Sequence, residues 1–107
     1  MGVTTLTEED NSLPLALGGL EKGISPLQMA GAYSTIANDG IYIEPTFYTK
    51  IDKNDGTVFI KTSQKTKRVC SKQVAYILKE ILTQPVLGEN GTATYCKISG
   101  VDVAAKT

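Results

Sequence analysis

The chain has 107 residues, which makes it one domain or a piece of one, able to bury roughly 60 to 65% of the surface its unfolded form exposes. Eleven basic and eleven acidic residues leave no net charge, so no long-range field draws it to nucleic acid or to an anionic membrane surface. The longest uncharged stretch, 23–38, carries Ser25, Pro26, Gln28 and Ser34, a composition that excludes a bilayer-spanning helix.

Residues 1–11 are polar and read as irregular, with an acidic cluster at Glu8, Glu9 and Asp10. They lack a basic region followed by an apolar run, and Leu6 stands where the myristoylation pattern wants Ser or Thr, so any targeting signal lies elsewhere. The next stretch, "LPLALGGLEKGI", runs its leucines into Gly18-Gly19, a pair that punctuates structure, and is expected to be a connector lying against a core. The strongest local signal is "ISPLQMAGAYSTIANDG". Ser25 and Gln28 form a capping box, Pro26 suits the first helical position, and Ile24 can staple to Met29. The spacing predicts a buried helix from Ser25 to about Asn38, closed by Gly40, whose small residues (Ala30, Gly31, Ala32, Ser34, Ala37) let other backbone come close.

From Ile41 to Lys61 the pattern turns to β-rich residues, and "NDG" between Ile51 and Val58 predicts a hairpin. Pro45 keeps the stretch before it from being a central strand. "KTSQKTKR" reads as a basic, disordered link. Ser71 can then cap a second helix, where Val74, Ile77, Leu78, Ile81 and Leu82 form an apolar stripe that Pro85 is expected to end. "GENGT" reads as an exposed turn, and 101–105 as a last strand. The expected core comprises Leu17, Leu27, Ala30, Tyr33, Ile36, Phe47, Ile51, Val58, Ile77, Leu78 and Ile81.

Most candidate sites dissolve on inspection. "DKNDG" at 52–56 lacks the spacing of a calcium loop and is better explained as a turn. "NGT" at 90–92 matches a glycosylation acceptor that matters only in a eukaryotic secretory pathway. Glu8 to Asp10 read as a solvated face. Cys70 and Cys96 are too few for a disulfide framework and, with no His in the chain, for a zinc site; a single bridge between them stays open. The glycines have no phosphate-cradling spacing, so no cofactor and no metal are expected. Without His, neither a Ser-His-Asp nor a Cys-His arrangement can be built. The remaining common way to activate Ser uses Lys, which draws attention to Lys106 and Thr107 after the apolar run "VDVAA".

"LALGGLEKGISPLQMAGAYSTIANDGIYIEP", "KIDKNDGTVF", "VAYILKEIL", "GTA" and "VAAKT" resemble, in order and at matching distances, the transpeptidase domain of penicillin-binding proteins, most closely the bifunctional class A members of Gram-positive bacteria. The resemblance implies an α+β fold, here a partial serine β-lactamase/transpeptidase-like fold with two main helices, a β-hairpin and a terminal strand. It also implies a D-alanyl-D-alanine transpeptidase that cross-links peptidoglycan and is acylated by β-lactams. Such enzymes carry Ser-x-x-Lys, Ser-x-Asn and Lys-Thr-Gly. None of Ser12, Ser25, Ser34, Ser63, Ser71 and Ser99 begins either serine motif. Only the front of the third matches, at Lys106 and Thr107, with Ala105 where many relatives have glycine.

Residues 1–107 are thus expected to be a segment of such a domain, downstream of Ser-x-Asn and ending inside Lys-Thr-Gly, with Met1 a cloning start. By resemblance, Lys106 gives positive charge for the substrate's terminal carboxylate and takes part in proton transfer, and Thr107 offers the same carboxylate a hydroxyl. The implied partners of the parent are peptidoglycan stem peptides and β-lactams, at the extracytoplasmic face of the bacterial cell membrane. The isolated segment is expected to be inactive. The competing readings are a non-catalytic binding or sensory module on this scaffold and a monofunctional class B transpeptidase.

Overall fold

In the computed structural model, which describes residues 1–107, helix α1 (Pro26–Ala37) starts where both halves of the capping box are present. Ser25 Oγ accepts from the Gln28 N–H at 3.2 Å, and Gln28 Oε1 accepts from the Ser25 N–H at 3.3 Å, so donors that the first turn leaves unpaired find partners. The chain leaves the helix through Asp39 and Gly40, at φ 51° and 83°. A Cβ on Gly40 would lie 2.4 Å from the Cys70 carbonyl oxygen, which leaves room for glycine alone.

Four short strands follow: β1 (Ile41–Ile43), β2 (Lys50–Asp52), β3 (Val58–Lys61) and β4 (Thr66–Arg68). They pair as two separate antiparallel ribbons, β1 with β4 and β2 with β3. The second is the expected hairpin. Its turn is fixed by Asp55, whose Oδ1 accepts from the Thr57 N–H at 2.9 Å and the Thr57 hydroxyl at 2.6 Å, and by Gly56 at φ 81°. The first ribbon corrects the reading of "KTSQKTKR" as a disordered link, for Thr66, Lys67 and Arg68 lie opposite Ile43, Tyr42 and Ile41. Arg68 fastens it by donating to the carbonyls of Asp39 and Cys70 at 3.1 and 3.2 Å.

Helix α2 (Lys72–Leu87) starts at Ser71, whose Oγ accepts from the Val74 N–H at 3.2 Å. Pro85 does not end it, as expected from the sequence, but sits inside its last turn; proline removes one donor and bends a helix without stopping it there. The carboxylate of Asp39 ties the end of α1 to α2, with Lys79 at 2.9 Å and Lys72 at 3.3 Å. The predicted last strand is reduced to one bridge, Ile98 with Val101, and 102–107 run without a strand partner.

Burial departs most from expectation. The buried residues are small or polar: Gly31, Thr35, Gly40, Ala75, Val86 and Ala93, with Asp10. A Cβ on Gly31 would meet Tyr42 Cε2 at 3.3 Å and Pro45 Cγ at 3.7 Å, so β1 packs on the small-residue face of α1 as its composition foretold. Of the expected core, only Ile36 and Leu78 are half-buried; Leu17 and Phe47 are 94% and 90% exposed, and Leu27, Ala30, Tyr33, Ile51, Val58, Ile77 and Ile81 are exposed as well. "LPLAL" forms a 3-10 turn (Leu13–Leu17) with its leucines in solvent rather than against a core. The radius of gyration is 17.9 Å, against about 13 Å for a compact domain of this length. These are elements with their own hydrogen bonds and little apolar cover.

Candidate functional site

A groove of about 530 Å³ opens between the two helices and the end of the chain. Helix α1 contributes Tyr33 and Ile36, α2 contributes Lys79 and Leu82, and the third wall is 104–106. The Ala105 N–H donates to the Leu82 carbonyl at 2.8 Å. This single bond docks the terminal segment on α2, and it places Lys106 at the rim.

The two cations of the groove differ. Lys79 is held by Asp39, and the Lys79 and Lys72 ammonium groups bonded to it hold the Asp39 carboxyl below the usual carboxylate range. Lys106 is exposed and pairs with no Asp or Glu side chain; its ammonium donates to the neighbouring Thr107 carbonyl oxygen. Thr107 is exposed too, its hydroxyl 2.5 Å from the hydroxyl of Thr92. The structure therefore brings Lys106 and Thr107 together at one edge, with a cation and a hydroxyl presented to solvent. Such a pair can hold a carboxylate.

Two residues of this site were not read from the sequence. Lys79 is not singled out by the sequence, and Thr92 lies in the stretch that reads as an exposed turn. The family-like "GTA" at Gly91 to Ala93 is the signal that bears on Thr92.

Three of the serines are committed to structure. Ser25 and Ser71 are caps, and the Ser34 hydroxyl donates to the Gly31 carbonyl at 2.8 Å. Cys70 and Cys96 are free and half-buried. No group of three or more His, Cys, Asp or Glu is placed to hold a metal ion, and no helix is long and apolar enough to cross a membrane.

Asp10 corrects the reading of a solvated acidic face. It is 5% exposed and accepts from the N–H groups of Glu21 and Thr7, each at 2.8 Å, and from the Thr7 hydroxyl at 3.3 Å. Those bonds, the Glu21 N–H first, hold its carboxyl below the ordinary range. Its role is to tie the first residues to the segment before α1.

Comparison with known proteins gives a consistent result. The family model described as penicillin binding protein transpeptidase domain matches residues 3–107. The chain is 47% identical over 98 residues to penicillin-binding protein 1F of Bacillus subtilis, covering 92% of this chain and 13% of that one. It is 39% identical over 93 residues to penicillin-binding protein 1A of Clostridium botulinum, covering 87% and 11%. The chain thus spans about an eighth or less of the length of these curated relatives. Among solved structures, penicillin-binding protein A from M. tuberculosis, as its imipenem acyl-enzyme complex, superposes with a TM-score of 0.70 at 28% identity, covering 85% of this chain and 20% of that one. The D,D-transpeptidase domain of a peptidoglycan glycosyltransferase from Eggerthella lenta gives 0.66 at 31% identity, covering 82% and 22%.

Proposed function

This chain belongs to the penicillin-binding protein transpeptidase family, and from that premise we propose that it forms one wall of the active site of a serine D,D-transpeptidase of class A type. The two helices and short antiparallel strands are a partial transpeptidase fold. In this reading the whole protein cross-links peptidoglycan stem peptides at the extracytoplasmic face of the bacterial cell membrane and is acylated by β-lactams, while the Ser-x-x-Lys and Ser-x-Asn motifs stand on other polypeptide of the same protein. The nucleophilic serine attacks the carbonyl of the penultimate D-alanine, the terminal D-alanine leaves with a proton, and the acyl group passes to an amine of a second stem peptide.

The observation that carries the reading is the exposed pair Lys106 and Thr107, docked through Ala105 on α2 with Lys106 lining a groove, in a chain that the family model matches through its last residue. A cation that no Asp or Glu side chain pairs with and a hydroxyl beside it form a ledge for an anion. Held there, the carboxylate of a stem peptide or of a penicillin places its reacting carbonyl in line with the nucleophile, and fixing geometry in this way lowers the barrier without any group on this chain becoming covalently bound to the substrate.

The test is covalent labelling by a fluorescent penicillin. The whole protein is expected to be acylated stoichiometrically, Lys106→Ala to slow acylation by about 10²- to 10³-fold, and residues 1–107 alone to form no adduct. An adduct on the isolated segment, or a Lys106→Ala protein acylated at the unmodified rate, overturns the reading.

A further inference from the structure

The last turn of α2 anchors two separate pieces of chain. Pro85 lies inside the helix and has no N–H to offer the Ile81 carbonyl. The carbonyls of this turn are taken up from outside: Leu82 accepts from the Ala105 N–H, and Pro85 from the Ala93 N–H, both at 2.8 Å. The first bond holds the terminal segment and the second holds the loop 88–93. That loop is tight. The Gly91 N–H donates to the Gly88 carbonyl at 2.9 Å, and a Cβ on Gly91 would lie 2.4 Å from the Pro85 carbonyl oxygen. Ala93 is 1% exposed.

Thr92 stands between these fixed neighbours, its own side chain exposed, and its hydroxyl meets the hydroxyl of Thr107 at 2.5 Å. Two hydroxyls at that distance share one proton between them. If Thr92 donates, the proton of Thr107 is left to point away from it, toward whatever anion lies on the ledge. A Thr107 hydroxyl without that neighbour rotates among three staggered positions and presents its proton outward in only some of them.

We infer that Thr92 is a positioning residue for anion binding: it donates to Thr107 Oγ1 and so aims the Thr107 proton at a bound carboxylate. The two bonds run in one direction, Thr92 to Thr107 to carboxylate, and each polarises the next. β-Branching restricts χ1 of both threonines, so the pair is held in register with little further ordering cost. The inference rests on the reading above, in which the ligand of this edge is a carboxylate.

The experiment compares acylation of the whole protein by a penicillin and by the methyl ester of the same penicillin, which lacks the anion. Thr92→Val is expected to slow acylation by the free acid about tenfold, the loss of one charge-assisted hydrogen bond, and to leave the ester rate unchanged, so that the preference for acid over ester falls by that factor. Thr92→Ser, which keeps the hydroxyl, retains the preference. Equal loss for acid and ester in Thr92→Val assigns Thr92 a merely structural part and overturns the inference. So does an unchanged preference in Thr92→Val, or a Thr92→Ser protein that behaves as the Val variant does. An unmodified protein that neither compound labels fails at the earlier step and refutes the transpeptidase reading itself.

Discussion

The ribbon β1–β4 with its two helices and the hairpin β2–β3 obey the same local rules and end in different situations. Both have their turns and caps in place, and no buried side-chain polar atom in the molecule lacks a hydrogen-bond partner. In the first region, Gly31, Thr35, Gly40 and Ala75 are buried, Gly31 against the Tyr42 and Pro45 side chains and Gly40 against the Cys70 backbone. In the second, every residue of both strands is exposed, Phe59 at 61% included. Hydrogen bonds and turn chemistry are enough to shape an element, whereas its place relative to the rest depends on apolar area removed from water. The hairpin is shaped and not packed.

Two glycines of nearly equal φ turn that contrast into a measurement. Gly40 (φ 83°) faces the Cys70 carbonyl, while Gly56 (φ 81°) has nothing within 4 Å of where a Cβ would lie. Ala at either site incurs the left-handed backbone strain of about 1–2 kcal/mol. At Gly40 it also displaces Cys70 and with it the start of α2, adding about 1–3 kcal/mol. Urea unfolding is therefore expected to show Gly40→Ala as clearly the more damaging of the two. Equal losses at the two sites erase the distinction between packed and unpacked regions.

What the sequence made legible follows the same line. Helix α1 was readable to within a residue because its signals are local: Ser25 and Gln28 at the start, Gly40 at the end. The hairpin was readable from "NDG". Strand β4 was not, since its pairing with β1 spans more than twenty residues of chain and Thr66, Lys67 and Arg68 carry no apolar alternation. The core was misread for a related reason. Bulky residues such as Leu17, Phe47 and Ile77 read as core on hydrophobicity alone, whereas in the structure they are exposed. The residues that are buried, Thr35 and Ala75 among them, are mostly small ones. At the candidate site, Lys106 and Thr107 were legible through resemblance to the family, while Thr92 was hidden because its relation to Thr107 depends on how the loop after Pro85 folds back.

Helix caps test the comparison at smaller scale. Ser25 belongs to a reciprocal box on a helix that packs against β1, and Ser71 makes a single cap bond on a helix whose Val74, Ile77 and Ile81 are exposed. Replacing an N-cap Ser by Ala costs about 0.5–2 kcal/mol. Ser25→Ala is expected toward the upper end and Ser71→Ala toward the lower, because the first also frees the Gln28 side chain and loosens a packed element. Thermal unfolding of the two variants ranks them, and the reverse order would show that packing does not amplify a lost cap.

The smallest expected effect separates two carboxylates by what holds them. Asp39 lies below its usual pKa of 3.8 through the bonded ammonium groups of Lys79 and Lys72; Asp55 lies below it through the Thr57 hydroxyl and N–H. In both cases the folded form has the lower pKa, so the stabilisation is complete above the unfolded value and is lost as pH falls from about 5 through the folded pKa. Salt divides them. Near 1 M, where the screening length is about 3 Å, attraction to the exposed Lys72 and the half-buried Lys79 weakens while a neutral hydroxyl and a backbone N–H are little affected. A carboxyl-carbon NMR titration is expected to show the Asp39 pKa rising toward 3.8 with added salt and the Asp55 pKa nearly constant. Asp39 joins two helices and Asp55 closes one turn, so salt loosens the packed region first and leaves the hairpin turn as it was. Parallel salt shifts for the two groups would mean that the Asp39 clamp owes little to charge, and that the helices are held at that point by the Arg68 bonds to backbone instead.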